Sequence, residues 1–317
     1  MKVFKIKNLV MFLAIAVVVY SAMIVLSDYN KISDQFNMLN LWVIPVVLFF
    51  AWLDDFIRFF KWDYFLKKLR IKAPRKISFL TFFSGLSMSI TPGKVGEILK
   101  SYLLKRTVGV KMRKSIMVVV FERLTDILGL SILALIGAFS FLDNLYFIAL
   151  ISVLMFSIFF LLALLSSKRF FMKFSKILLR LPIVKNYVKY IDNIYKSSKQ
   201  LLSPKVLVIS TTMSVVSWFF ECLAFYILLQ SLGAPLPILT VIFIFSFSSI
   251  FGSIIFVPGG LGVAESSFVA LLLLSGLSIA TSTLATILIR LCTLFWGIFL
   301  GIVSLAIINR IIAKKRN

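Results

Sequence analysis

The sequence predicts an all-α protein that crosses a membrane several times, with about six full transmembrane helices and two re-entrant pairs of broken helices. Composition is the first observation: 61% of the 317 residues are hydrophobic and the mean hydropathy is +1.04, whereas a soluble domain is closer to half apolar. The second is a series of long apolar runs, and the third is a pair of Pro-Gly sequences inside apolar segments. Together they place the chain among integral membrane proteins.

Six apolar runs approach or exceed the roughly 20 residues that a helix needs to cross a bilayer. They cover residues 9–26, 39–60, 115–142, 145–165, 206–230 and 279–309. The first run follows a basic amino terminus, as the core of a signal peptide does. Its 18 residues are more than such a core usually contains, so we expect an uncleaved first span.

Basic residues sort the connecting segments into two sets. Of the 35 Lys and Arg residues, 30 lie in residues 1–8, 61–76, 100–114, 166–205 and 310–317. Because cytoplasmic loops carry the excess of Lys and Arg, the sequence predicts a multi-pass plasma-membrane protein with both termini in the cytoplasm. The formal net charge of +23 then favours contact with anionic lipid headgroups at the cytoplasmic face rather than with nucleic acid.

Two apolar segments are expected to enter the membrane and return to the side from which they came. Residues 77–99 begin and end beside basic loops, and residues 237–275 begin and end beside loops that are poor in charge. A Pro-Gly sequence falls where each segment has to turn, at residues 92–93 and 258–259. The depth of the second turn stays open, because residues 238–257 alone are long enough to cross.

These two segments belong to an internal repeat, in which five features recur in the same order at an offset of 166 to 167 residues. The matched positions are Trp52 and Trp218, Asp55 and Glu221, Pro92 and Pro258, Gly96 and Gly262, and Arg123 and Arg290. Because the two copies enter from opposite sides, we expect an inverted-topology repeat, which is the architecture of many transporters.

The repeat divides one membrane domain, residues 1–317, into three parts. We expect the first repeat at residues 39–142 and the second at residues 206–309. Residues 166–205 between them carry 10 basic residues and an apolar helical stripe. That pattern predicts an amphipathic linker on the cytoplasmic surface.

Charged residues lie inside the apolar segments, where each costs at least ~2.5–3.5 kcal/mol at the bilayer centre on insertion scales. Seven of the 12 acids do so: Asp54, Asp55, Glu97, Glu122, Asp126, Glu221 and Glu265. We expect these charges to pair with one another or to line a wet cavity. Helical spacing allows local pairs, such as Asp54 with Arg58 and Arg123 with Asp126, and pairs that merely hold the helices together stay an alternative.

The Pro-Gly breaks predict a site for an anion near the middle of the bilayer. A short helix that begins at such a break directs free N–H groups and a positive dipole end into the protein, and glycine lets an anion approach the backbone. Arginine adds forked donors and lysine a point charge. The predicted substrate-binding residues are Gly93, Lys94, Gly96, Glu97, Arg123, Asp126, Gly259, Gly260, Gly262, Glu265 and Arg290.

Three further acids are predicted to act as counter-ions or carriers of coupling protons: Asp55, Glu122 and Glu221. Histidine is absent, and the two cysteines lie in separate apolar segments as small packing residues. We therefore expect neither a metal site nor a cofactor.

The motifs that carry these residues resemble those of a known family. The stretches "TPGKVGEILKSYLLKR", "FERLTDILGL", "VPGGLGVAESSF" and "TILIRLCTLFWG" are similar to the flippase-like membrane domain of bacterial lysylphosphatidylglycerol synthases. The resemblance implies translocation of a lipid with a phosphate-bearing head. The synthases continue into a soluble aminoacyl-transfer domain, whereas this sequence stops at Asn317. We therefore expect a stand-alone member that does not make the aminoacylated lipid.

The resemblance also implies which positions of this sequence carry the family motifs. The first set falls on Pro92, Gly93, Gly96, Glu97, Glu122, Arg123 and Asp126. The second set falls on Pro258, Gly259, Gly260, Gly262, Glu265 and Arg290.

The expected function is that of a flippase, and not of an enzyme. It would move a phospholipid or a polyprenyl-phosphate-linked lipid between leaflets by alternating access. One alternative is a membrane-embedded enzyme that modifies a lipid headgroup, with carboxylates such as Glu97 and Glu265 as acid and base. Another is an ion-coupled carrier of a small soluble anion. The oligomeric state stays open, and a homo-oligomer is compatible with the sequence.

Overall fold

A computed structural model of the chain describes residues 6–27, 29–37, 39–91, 96–141, 199–254 and 257–314, with five single positions between 149 and 156. Within these residues the regular structure is helical and contains no strand, which confirms the predicted all-α class. Three predicted features lie outside the described residues: the span at 145–165 apart from the single positions, the linker as far as residue 198, and Pro92–Val95, including Gly93 and Lys94.

Eleven α-helices make up the described part of the chain. They are α1 (Ile6–Leu26), α2 (Tyr29–Asn37), α3 (Val43–Lys68), α4 (Arg75–Leu86), α5 (Leu99–Val108), α6 (Met112–Ala138), α7 (Pro204–Ser231), α8 (Ile238–Ile254), α9 (Val263–Leu274), α10 (Ile279–Arg290) and α11 (Trp296–Lys314). A π-helical turn, Leu291–Phe295, joins α10 to α11.

Two of the described helices are long and apolar enough to cross a membrane by length and composition. They are α7 and the continuous 36-residue helix Ile279–Lys314, which contains α10, the π turn and α11. Helices α1 and α2 meet at 97° and add a third candidate if the bent pair is one span. Helices α3 and α6 have 26 and 27 residues, but both contain several charged residues. The count of six full crossings therefore stays a prediction.

Helix packing joins the amino-terminal half of the bundle to the carboxy-terminal half. Helix α3 packs along α7, α4 packs along α11, and α6 packs along α8. One apolar core lies among α3, α4, α5, α6 and the start of α7, and a larger one among α2, the start of α3 and α6 to α10. The buried charged residues, described below, lie on α3, α5, α6, α7 and α9 and just before α5.

The chain is interrupted between α4 and α5 and again between α8 and α9. In the second interruption, Gly259, Gly260 and Gly262 have φ of 62°, 68° and 82°, values in the left-handed region that favours glycine. The two interruptions lie against each other: a Cβ on Gly259 would be 3.2 Å from Cγ1 of Ile90. The packing thus brings the ends of α4 and α8 to one place in the bundle.

Two glycines one turn apart on α11 test the packing of α11 on α4. A Cβ on Gly301 would lie 2.2 Å from the backbone nitrogen of Ser87, whereas a Cβ on Gly297 would be 3.7 Å from its nearest neighbour, Asp55 Oδ2. We expect Gly301→Ala to lower the free energy of unfolding by about 1–3 kcal/mol through overpacking. Gly297→Ala should be neutral or slightly stabilising, because alanine favours helix over glycine. Thermal unfolding in detergent measures both, and equal effects would contradict this packing.

Candidate functional site

A cavity lies where the two halves of the bundle meet at the interruptions. Its empty space is about 700 Å³, including the part that is open to the surroundings. Charged and hydroxyl side chains share its wall with aromatic and aliphatic ones. The polar lining consists of Asp55, Arg58, Ser89, Glu221, Ser249, Ser253, Arg290 and Thr293, and the larger apolar lining of Leu86, Trp218, Phe245, Phe268 and Leu294.

Arg290, at the end of α10, is held in the cavity wall by two contacts within its own half. Its Nε donates to Oε1 of Glu265 at 2.7 Å, and its Nη2 donates to the carbonyl of Gly259 at 2.8 Å. The guanidinium has five N–H donors, so these two contacts leave donor capacity in a side chain that is 14% exposed. Arg290 is therefore fixed in position, with N–H groups that these two contacts do not use.

The carboxylate of Glu265 also caps the short helix α9. Its Oε2 accepts a hydrogen bond from the N–H of Gly262 at 2.7 Å, and the residue is fully buried. A carboxylate at a helix amino terminus satisfies a backbone donor that has no partner within the helix and interacts favourably with the helix dipole. The predicted anion-binding end of this helix is thus occupied by the protein's own carboxylate.

Tyr20 of α1 completes this group from outside both predicted repeats. Its hydroxyl donates to Oε1 of Glu265 at 3.3 Å, and its ring packs edge-to-face on Phe295 of the π turn. The side-chain hydroxyls of Ser27 and Thr283, 2.7 Å apart, fix the end of α1 on α10. No sequence pattern indicated Tyr20, because it lies in an otherwise uniform apolar run.

Gly260 serves close packing rather than the cavity surface. A Cβ at this position would lie 2.6 Å from the carbonyl oxygen of Gly252 on α8. The two glycines let the returning chain pass directly over α8. Gly260 is thus placed behind the cavity wall, whereas Gly259 belongs to the lining.

Arg58 of α3 is the second cation of the cavity. Its Nη1 lies 3.3 Å from Asp54 and 3.9 Å from Asp55, and its Nη2 lies 3.6 Å from Asp126. The guanidinium is 5.2 Å from the ring centroid of Trp218, a distance at which a cation–π attraction is significant. Arg58 therefore links the cavity to the buried charges of the amino-terminal half.

Asp126 of α6 is the centre of those buried charges. It is paired with Arg58, with Lys61 and, at 3.3 Å, with Arg123. Ser214 of α7 donates to the same carboxylate at 3.2 Å and accepts a hydrogen bond from Lys61 at 2.7 Å. Three cations and a hydroxyl thus share one carboxylate, which ties α3, α6 and α7 together.

Glu97 and Glu122 are held by Lys100 at the start of α5. The Lys100 ammonium lies 3.0 Å from Glu97 and 3.1 Å from Glu122, and all three side chains are buried. Glu97 also pairs with Arg123 at 3.2 Å and accepts a hydrogen bond from Ser89 at 3.3 Å. The two halves are therefore alike in one respect. Glu97, near the start of α5, pairs with Arg123 of α6, as Glu265 near the start of α9 pairs with Arg290 of α10.

The backbone of the first interruption is less open than the sequence suggests. The N–H of Gly96 donates to Oγ1 of Thr91 at 2.8 Å, and a Cβ on Gly96 would lie 2.6 Å from the same oxygen. The side chain of Thr91 thus uses the amide that was expected to face an anion.

The structure brings only part of the predicted set together in the cavity. Gly259, Arg290, Asp55 and Glu221 line it, with Glu265 and Gly262 directly behind them. The remaining described members lie outside the lining: Glu97, Glu122, Arg123 and Asp126 in the connected group of charges, Gly96 in the first interruption and Gly260 in the second. The arginine that shares the cavity with Arg290 is thus Arg58 and not Arg123.

Two lysines assigned to basic loops are in fact buried. Lys61 is 1% exposed and Lys100 is 0% exposed, because α3 continues to Lys68 and α5 begins at Leu99. A helical signal for both was available. Lys61 lies one helical turn after Arg58, and Lys100 lies one turn after Glu97, each on the charged face of its helix.

The sequence of this chain matches one family model over most of its length. The model for the lysylphosphatidylglycerol synthase TM region covers residues 11–301. This range includes both interruptions, Tyr20 and every residue of the cavity lining.

Two archaea have similar proteins. The chain is 28% identical over 228 residues to UPF0104 membrane protein MJ1078 of Methanocaldococcus jannaschii, which covers 72% of this chain and 96% of that protein. It is 24% identical over 335 residues to a UPF0104 membrane protein of Methanothermobacter thermautotrophicus, with 96% of each chain covered. A second UPF0104 membrane protein of that organism is 22% identical over 286 residues, or 84% of this chain and 83% of the relative.

Proposed function

Because the chain belongs to the family of the lysylphosphatidylglycerol synthase transmembrane region, we propose that it is a lipid translocase. It moves a lipid with an anionic, phosphate-bearing headgroup from one membrane leaflet to the other. The headgroup passes through the cavity between the halves, while the acyl or prenyl tails stay in the surrounding lipid. Phospholipids and polyprenyl-phosphate-linked sugars both have the required chemistry.

The observation that carries this proposal is the placement of two arginines in one cavity of an apolar bundle. Arg58 comes from the amino-terminal half and Arg290 from the carboxy-terminal half. Charged groups inside a membrane mark substrate or ion pathways, because a bundle that needs only stability avoids their cost. Guanidinium groups match phosphate oxygens with forked donors, which selects a phosphate over an uncharged headgroup.

The pattern of helix packing supports an inverted repeat with re-entrant helix pairs. The helix before each interruption packs on the arginine-bearing segment of the opposite half: α4 on α11, which continues from Arg290, and α8 on α6, which carries Arg123. Helices α3 and α7, which carry the matched acids, pack on each other. A pseudo-two-fold axis in the membrane plane relates halves in this way. We propose six crossings in the plasma membrane, with both termini in the cytoplasm.

The two halves differ in a way that suits alternating access. Arg290 lines the cavity, whereas Arg123 is held between Glu97 and Asp126 and lies outside the lining. In an inverted repeat the opposite state is obtained by exchanging the conformations of the two halves. The alternative state would then expose Arg123 to a cavity on the other side and bury Arg290 with Glu265.

Transfer of labelled lipid in proteoliposomes tests the function. We expect the purified protein to make nitrobenzoxadiazole-labelled phosphatidylglycerol accessible to dithionite faster than protein-free vesicles do. Labelled glucosylceramide has a bulky headgroup without phosphate and should move at least about tenfold more slowly. The loss of one charge-assisted contact, worth ~1.4 kcal/mol, accounts for that ratio. No acceleration, or equal rates for both lipids, would overturn the proposal, and uptake of inorganic phosphate without lipid transfer would favour a carrier of small anions.

A further inference from the structure

Glu265 occupies the position that the phosphate of a lipid would take. Its Oε1 receives the Nε–H of Arg290 and the hydroxyl of Tyr20, and its Oε2 receives the N–H of Gly262 at the start of α9. These are the donors that the cavity offers to an anion: an arginine and a helix amino terminus. A phosphate that binds Arg290 fully must therefore compete with this carboxylate.

Displacement would leave Glu265 buried without a cation. The carboxylate has 0% exposure, and α8 and α9 carry no other charged residue. On α1 the titratable group beside it is Tyr20, and on α10 it is Arg290. Helix α2 also packs on α10, but its Lys31 and Asp34 are exposed, whereas Glu265 is fully buried.

The groups across the cavity cannot replace Arg290 as the partner of Glu265. Helix α3 presents Asp55 and Arg58, and α7 presents Glu221. Arg58 already lies within 4 Å of three carboxylates, those of Asp54, Asp55 and Asp126. The acids beside it repel a second carboxylate rather than stabilise it.

A buried carboxylate without a partner is strongly unfavourable, whereas the neutral acid is not. We infer that Glu265 binds a proton when a lipid phosphate takes its place on Arg290, and that it releases the proton when the lipid leaves and Arg290 returns. This inference rests on the proposed function and adds a second ligand to it. The protein would carry one proton with each anionic lipid.

The charge balance makes this coupling electroneutral. In the empty site, Glu265 and Arg290 form a neutral pair. In the loaded site, the phosphodiester has one negative charge and is balanced by Arg290, while the protonated Glu265 is neutral. The lipid and its proton together have no net charge, so movement between the leaflets transfers no charge across the membrane.

The direct test imposes a pH difference of one unit across proteoliposomes that contain labelled phosphatidylglycerol. If one proton moves with each lipid, the labelled lipid should accumulate about tenfold in the leaflet that faces the alkaline side, relative to protein-free vesicles. At that ratio the free energy stored in the lipid gradient equals the ~1.4 kcal/mol of the proton gradient. Dithionite reads the distribution at steady state. A potassium diffusion potential should leave the distribution unchanged.

Glu265→Gln removes the proton-binding group while keeping hydrogen-bonding atoms in place. At whatever rate this variant transfers lipid, its steady-state leaflet ratio should be the one found without a pH gradient. Asp63→Asn is the matched control, because Asp63 pairs with the exposed Lys67 outside the cavity, and it should keep the tenfold ratio. Should Glu265→Gln not fold, the wild-type measurement decides alone.

The outcomes separate the inference from the function on which it rests. Fast lipid transfer whose steady-state distribution ignores the pH gradient, or follows the membrane potential, overturns proton coupling and leaves the translocase intact. Full accumulation by a folded Glu265→Gln protein overturns the assignment to Glu265. Lipid transfer no faster than in protein-free vesicles overturns the proposed function itself.

Discussion

Replacement of Arg290 by alanine is expected to slow the transfer of anionic lipid by about 30-fold or more. The change removes the forked donor from the cavity and leaves Glu265 buried without its cation. Truncation of one partner of a buried, hydrogen-bonded charge pair costs ~2–5 kcal/mol, and each 1.4 kcal/mol is about tenfold. The dithionite assay with labelled phosphatidylglycerol measures the rate directly.

Two further variants separate loss of the site from general damage. Arg290→Lys keeps the charge but loses the fork that reaches both Glu265 and the carbonyl of Gly259, so its rate should fall between those of wild type and Arg290→Ala. Arg310→Ala removes an exposed arginine from α11, outside the cavity, and should match wild type. A folded Arg290→Ala protein with the wild-type rate would contradict the role of the cavity.

Replacement of Asp126 by asparagine is expected to cause the largest loss of stability. Its carboxylate neutralises three cations from two helices: Arg58 and Lys61 of α3 and Arg123 of α6. Loss of one partner of a buried ion pair typically destabilises by ~3–5 kcal/mol, because the remaining charge stays uncompensated. The apparent melting temperature in detergent should fall by about 6–20 °C, at about 2–4 °C for each kcal/mol.

Asp63→Asn provides the matched comparison on α3. Asp63 pairs with Lys67 at 2.8 Å, but Lys67 is 76% exposed, and exposed pairs contribute ~1 kcal/mol or less. The same chemical change should therefore lower the melting temperature only slightly. Comparable losses in Asp126→Asn and Asp63→Asn would show that the group around Asp126 is not the buried ionic centre described above.

The sequence was sufficient to predict the helical class and the two interruptions, because both follow from composition and from strong backbone signals. Apolar residues in long runs require helices in lipid, and glycine next to proline ends a helix. The pairs Arg123–Asp126 and Asp54–Arg58 were also predictable, because spacing along one helix fixes which side chains are neighbours.

Contacts between helices distant in the chain could not be derived in this way. Arg58 reaches Asp126 and Trp218 only because α3 packs beside α6 and α7. The sequence alone pairs Arg58 with Asp54, four residues earlier on the same helix. Lys61 and Lys100 were assigned to loops for a related reason: the counting of basic residues by segment assumes that every lysine beside an apolar run is exposed, whereas these two are buried in the bundle.

The repeat also conceals differences between equivalent positions. Trp52 and Trp218 match in sequence, yet Trp52 is 38% exposed and stacks on Phe56 at the outer surface of α3. Trp218 is 5% exposed and lines the cavity under Arg58. Matching positions therefore have different surroundings in the two halves, and α1 and α2 pack on α10 of the carboxy-terminal half.

The proposed function requires that Arg58 and Arg290 together bind the phosphate of a lipid inside the bundle. An electron cryomicroscopy structure of the protein in nanodiscs that contain phosphatidylglycerol would show whether they do. We expect density for a headgroup in the cavity, with its phosphate within hydrogen-bonding distance of Arg290 and facing Arg58. A cavity without lipid density at a resolution that shows both guanidinium groups, with phosphates confined to the membrane surface, would contradict it.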